Sequence, residues 1–113
     1  MEDNLIMILE EFGYPVYRQG SLTEDTKYPA TFITFWNSDS ADHAHYDNDE
    51  YGTVWNFDIY VYSDNPAITY SLLDNIKTQL KRNKWIVSGR GYDVTSDEPT
   101  HTGRGLNVNY LEI

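Results

Sequence analysis

The stretch Thr53 to Ser63 constrains the fold of this chain more than any other. Trp55, Phe57, Ile59 and Val61 alternate there with Val54, Asn56, Asp58 and Tyr60. A period of two places the first set on one face of a strand and the second set on the other. One face is apolar and the other mixed, the pattern of an antiparallel sheet covered on a single side. Such a sheet needs a second layer over its apolar side.

Helical spacing supplies that layer. Leu5, Ile8, Leu9 and Phe12 fall on one face of a short amphipathic helix, with Glu2 and Asp3 at its dipole-favoured start and Gly13 and Pro15 ending it. A second helix starts at Pro66, capped by Asn65 or Asp64. Its buried stripe is Thr69, Leu72, Leu73, Ile76 and Leu80, and Lys77, Lys81, Arg82 and Lys84 gather towards its C-terminus. Tyr14 to Arg18, Ala30 to Trp36 and Trp85 to Ser88 read as further strands. In the last strand Leu106, Val108 and Tyr110 alternate with Asn107, Asn109 and Leu111. Gln19 to Pro29 and Gly89 to Gly105 read as loops, and residues 37–52 as a long loop or a mobile hairpin tip.

The predicted order is α-β-β-β-α-β-β in a single domain over residues 1–113. The expected fold class is α+β: a mostly antiparallel sheet with two helices packed on one face. Its uncovered face would carry Asn56, Asp58 and Tyr60, with Asn107 and Asn109 from the last strand. A polar, tyrosine-rich face of this kind is either wet or an interface.

Composition narrows the function classes. The 113 residues carry 18 Asp and Glu against 8 Lys and Arg, a net charge of -10. That opposes affinity for nucleic-acid phosphate and for anionic membrane surfaces. The chain has no cysteine, which excludes disulfides, thiolate metal sites and cysteine nucleophiles. Its acidic start is unlike a secretory signal, and no apolar run approaches the roughly 18 residues of a membrane helix.

Motifs for chemistry are weak. Asp47-x-Asp49-x-Tyr51-Gly52 has a calcium-loop glycine, but Tyr51 stands where a ligand belongs and Asp58, at the twelfth position, falls inside a strand. His43 and His45 could share a side of a strand, with His101 as a third zinc ligand, yet no spacing ties His101 to the pair. Gly89-x-Gly91 and Gly103-Arg104-Gly105 lack the complete phosphate-loop patterns and read as tight-turn glycines. G-x-S-x-G is absent. The expectation is a protein with no catalytic centre, no metal and no cofactor. The run Ser96-Asp97-Glu98-Pro99-Thr100-His101-Thr102-Gly103-Arg104-Gly105 is rich in side chains that fix turns; it either presents a shaped loop to a partner or closes the last hairpin.

The same run, with Tyr14-Pro15-Val16-Tyr17, Gln19-Gly20-Ser21, Tyr28-Pro29, Phe32 to Asn37, Tyr46-Asp47-Asn48, Val54-Trp55, Tyr62-Ser63, Ile86 to Gly89 and Asp93-Val94, resembles the small tail-completion, tail-terminator or neck proteins of long-tailed bacteriophages. The resemblance spans most of the chain after the first helix. It implies a structural virion protein, assembled in the bacterial host cytoplasm and placed at the tail-neck junction. It also implies a ring, usually of six copies, that caps the tail-tube protein and meets neck and connector proteins, with DNA passing through.

Charge is segregated along the chain. Residues 23–58 hold eight acids and one Lys, whereas residues 77–90 hold five bases and no acid. Opposite patches on one subunit suit head-to-tail contacts. Lys77, Lys81, Arg82, Lys84, Asp97, Glu98, His101 and Arg104 are the expected subunit-interface residues. Asp39, Asp42, Asp47, Asp49 and Glu50 are expected to face the channel or a neighbouring ring. The alternatives are a head-closure or adaptor ring, a small metal- or ligand-binding module, and an acidic inhibitor or DNA mimic.

Overall fold

The alternating stretch Thr53–Ser63 becomes β4, and the strands paired with it show how the sheet is built around it. The computed structural model describes residues 2–18, 30–37, 41–42, 53–94 and 101–112. In chain order the elements are α1 (Glu2–Glu10), β1 (Val16–Arg18), β2 (Thr31–Asn37), β3 (Ala41–Asp42), β4, α2 (Pro66–Arg82), β5 (Ile86–Val94) and β6 (Thr102–Glu112). The described strands form a six-stranded sheet ordered β1-β2-β4-β6-β5, with β3 also on β4. All pairings are antiparallel except β1 with β2.

The fold is α+β with both helices on the apolar side. Phe57, Ile59 and Val61 of β4 lie in the core with Ile33 and Phe35 of β2 and Leu106 and Val108 of β6. Leu72, Leu73, Ile76 and Leu80 of α2 cover them, and Leu5, Ile8 and Leu9 of α1 complete the layer. Trp85 is 3% exposed and its indole N–H donates to Asn4 Oδ1 at 3.3 Å, tying the start of β5 to α1. Arg18 forms an ion pair with Glu2, joining β1 to the same helix.

The second helix begins and ends by recognisable local chemistry. Asn65 Oδ1 accepts from the Ala67 N–H at 3.1 Å, and Pro66 occupies the first turn, where its missing donor costs nothing. At the other end Trp85 N–H donates to Leu80 carbonyl and Lys84 N–H to Lys81 carbonyl, the paired bonds of a Schellman ending. This places Lys84 at φ 70, a position usually held by glycine.

Two features differ from the sequence reading. The order is α-β-β-β-β-α-β-β, because Ala41–Asp42, inside the stretch read as a long loop or hairpin tip, forms a short strand paired with Thr53–Val54. Two residues are too short to show a period. The segment Gly89 to Gly105 is mostly strand: β5 continues to Val94 and β6 begins at Thr102. Gly89 and Gly91, with φ of 71° and 97°, let β5 bulge between Ser88 and Tyr92 and then resume pairing. Glycine here marks an irregular strand, where composition alone reads a turn.

Candidate functional site

Strand register decides which side chains share the face of the sheet turned away from the two helices. Phe32, Thr34 and Trp36 of β2 stand across from Tyr62, Tyr60 and Asp58 of β4. Those three face Gly103, Gly105 and Asn107 of β6, and the two glycines face Val94 and Tyr92 of β5. One end of the face is therefore an aromatic block. Phe32 stacks on Tyr62 with centroids 5.2 Å apart, while Tyr17 and His101 approach the Phe32 ring at 6.2 Å and 6.0 Å. Tyr60 follows Tyr62 at 6.4 Å.

The block exists because β6 gives up its side chains beneath it. A Cβ on Gly103 would lie 2.7 Å from Tyr62 Cε1 and from Val94 Cγ2. A Cβ on Gly105 would lie 2.6 Å from Tyr92 Cε2. Tyrosine rings lie over bare backbone at both positions, a packing that protects strand glycines from solvent. The two glycines read as turn residues are thus mid-strand positions cleared for rings.

Beside the block, Trp36, Tyr60, Tyr62 and Val94 line an open hollow of about 400 Å³. Trp36 is 49% exposed, although it belongs to a strand whose preceding five residues are all buried. Asp58, across from Trp36, is held by neutral donors. Its Oδ1 accepts from Asn107 Nδ2 at 2.9 Å and from the Tyr92 hydroxyl at 3.4 Å. Asn107 Nδ2 also donates to Asn56 Oδ1 at 2.7 Å. Partial burial first, and then the charge of Asp58, hold the Tyr92 hydroxyl well above the ordinary phenol range, so Tyr92 stays a neutral donor. Thr34, under the same face, is 4% exposed and its hydroxyl has no hydrogen-bond partner.

The sequence-derived interface residues scatter over other surfaces. Lys81, Arg82 and Lys84 are exposed together at the C-terminal end of α2. Lys77 donates to the Gly89 carbonyl at 2.7 Å and so clamps the β5 bulge to the helix. Arg104 lies on the helix-covered side: its guanidinium sits 4.2 Å from the centroid of Tyr70 and pairs with Asp93 at 2.7 Å. Its side chain is 13% exposed, against 80% for Asp93. His101 joins the aromatic block instead of the basic cluster. Asp42 lies in β3. Asp39, Asp47, Asp49, Glu50, Asp97 and Glu98 lie outside the described residues, as do His43, His45, Tyr51 and Gly52 of the metal-site readings. No group of three metal-ligating side chains occurs among the described residues. None of the described helices is long and apolar enough to cross a membrane.

Sequence reasoning found Asn56, Asp58, Tyr60, Asn107 and Asn109 on the open face but missed Trp36, Tyr62, Tyr92 and Val94. The segment Thr31 to Trp36 carries two large apolar residues and one threonine on each side, so no alternation marks Trp36 as outward. The signal for Tyr92 was its separation from glycines that can sit under a ring. A scan against protein-family models finds no match, and a search of curated proteins finds none.

Proposed function

We propose that this protein is a non-catalytic structural subunit of a ring at the head-proximal end of a bacteriophage tail, where it terminates the tail tube and joins it to the head connector. The observation that carries this reading is the open sheet face, where half-exposed Trp36 stands beside Tyr60 and Tyr62. Large aromatic side chains with few rotors favour protein contact surfaces. The exposed Lys81, Arg82 and Lys84 against an acidic chain support a head-to-tail arrangement of copies. The motif resemblance supplies the virion, the tail-tube and connector partners, and the hexameric ring. In that ring the acidic segment around residues 39–50 faces the channel or a neighbouring ring, because negative charge keeps DNA from adhering in passage.

Electron microscopy of the assembled particle tests the reading. Density for this chain as a ring against the last tail-tube layer supports it. Density only on the portal side moves the protein to a head-closure or adaptor ring. Absence from the particle overturns the proposal, and DNA seated on Lys81, Arg82 and Lys84 overturns the channel assignment.

A further inference from the structure

We propose that Asp58, at the edge of the open hollow and flanked by the rings of Trp36 and Tyr60, forms with them a shallow recess that receives a cationic side chain, arginine foremost, from a partner protein. The first observation is an uncompensated carboxylate. Both hydrogen bonds to Asp58 reach Oδ1 and both come from neutral groups, so among the described residues Oδ2 stays open and no cation pairs with the charge. Among the residues that strand pairing places on this face, Asp58 is the charged one, and none is Lys or Arg.

The second observation is the surrounding π surface. Trp36 is directly across the ladder from Asp58, and Tyr60 is the next residue along the same face. Indole and phenol rings attract a cation through their negative faces, and a carboxylate beside them adds charge–charge attraction. The chain already uses this combination where Arg104 lies over Tyr70 and pairs with Asp93. On the open face the aromatic and acidic parts are present and the cation is not supplied from within the described residues.

The third observation selects the kind of occupant. A small free cation binds tightly only in a concave site that buries most of its surface, and an open place like this one holds it weakly. The hollow lined by Trp36, Tyr60, Tyr62 and Val94 is open, and Asp58 lies beside it, across the ladder from Trp36, on an extended sheet face that continues past Asn107 to the exposed Leu111 and Ile86. A side chain anchored on another protein can sit in such a shallow place because the flanking surfaces exclude water around it. Arginine suits it better than lysine, since a planar guanidinium stacks on the ring while donating to the carboxylate. The tyrosine hydroxyl at position 92, held neutral, steadies Asp58 without quenching its charge.

The recess does not depend on the virion reading, because it would serve any basic protein partner. Its test is an NMR titration of the full chain with N-acetyl-arginine amide and, separately, with the neutral isostere N-acetyl-citrulline amide. The expected result is a saturating shift of the Trp36 indole N–H with arginine, about threefold to tenfold tighter than with citrulline. Asp58→Asn should erase that preference. Trp36→Leu, at a half-exposed position, should weaken arginine binding read at the Asp58 amide by a similar factor. Equal binding of the two probes, or an arginine preference that survives Asp58→Asn, would overturn the recess and leave the tail assignment untouched.

Discussion

Gly105 stands across the ladder from Tyr60 while the Tyr92 ring covers it, so that a Cβ at Gly105 would come within 2.6 Å of Tyr92 Cε2. Gly105→Ala must push aside a ring that is 43% exposed, and is expected to destabilise by about 1–2 kcal/mol. Gly91→Ala should cost more, about 2–4 kcal/mol, because it combines a positive φ with contacts to Leu73 Cδ2 and the Gly105 carbonyl. Gly89→Ala meets open space and should cost only the left-handed backbone, about 1 kcal/mol. Urea midpoints at constant slope check the order.

Lys84 offers the opposite opportunity. It holds the left-handed position after α2 with φ 70 and an exposed side chain. Lys84→Gly is expected to raise stability by roughly 0.5–1 kcal/mol, since the steric relief exceeds the added unfolded-state freedom. A lower urea midpoint would contradict it.

The Thr34 hydroxyl is buried without a partner. Thr34→Val keeps the shape and removes the unsatisfied group, so it should stabilise by about 1 kcal/mol. Thermal unfolding of the pair of proteins measures this directly.

Arg104 and Asp93 share an ion pair but not a common importance. Asp93 is largely exposed, so Asp93→Asn should change stability by no more than about 0.5 kcal/mol. Arg104→Ala also loses the contact with Tyr70 and the packing of its stem beneath α2, and should cost about 1–2 kcal/mol. Matching losses in the two variants would show that the salt bridge, not the packing, dominates.

Tyr92 gives the alkaline limb of stability. Its hydroxyl is raised in the fold, by partial burial first and Asp58 next. Below the ordinary phenol value of about 10 both folded and unfolded chains keep the proton, and the contribution is fully present. As pH rises above that value the unfolded chain loses the proton first, so stability falls towards the raised folded value. Tyr92→Phe should show a shallower fall above pH 10 than the parent, measured by urea midpoints across pH.

The covered half of the molecule was legible because two periods mark it. The stripe Thr69, Leu72, Leu73, Ile76, Leu80 is buried residue for residue, and Phe57, Ile59 and Val61 point inward as alternation required. The open face was legible only where polar residues alternate, at Asn56, Asp58 and Asn107. Trp36 and Phe32 lie in a run that carries large apolar residues and one threonine on each face, where no local pattern separates a core residue from an exposed one. The glycines misled for a tertiary reason: Gly103 and Gly105 are small because rings from β4 and β5 lie over them, and that requires knowing the register. Lys84 gave no signal, since helix endings favour glycine and the chain supplies lysine instead.

The position of β6 between β4 and β5 governs when this molecule can first exist during synthesis. β4 is complete at Ser63, but its neighbour on one side arrives only with Thr102 to Glu112. At roughly 5–20 residues per second the ribosome needs a few seconds to cover that interval. Throughout it Phe57, Ile59 and Val61 have no β6 partner, and β5 emerges with its only described neighbour still unmade. The nascent chain therefore cannot consolidate strand by strand. It must wait for β6, the strand that joins the two parts of the sheet, and this exposes it to chaperones and to premature pairing with sister chains.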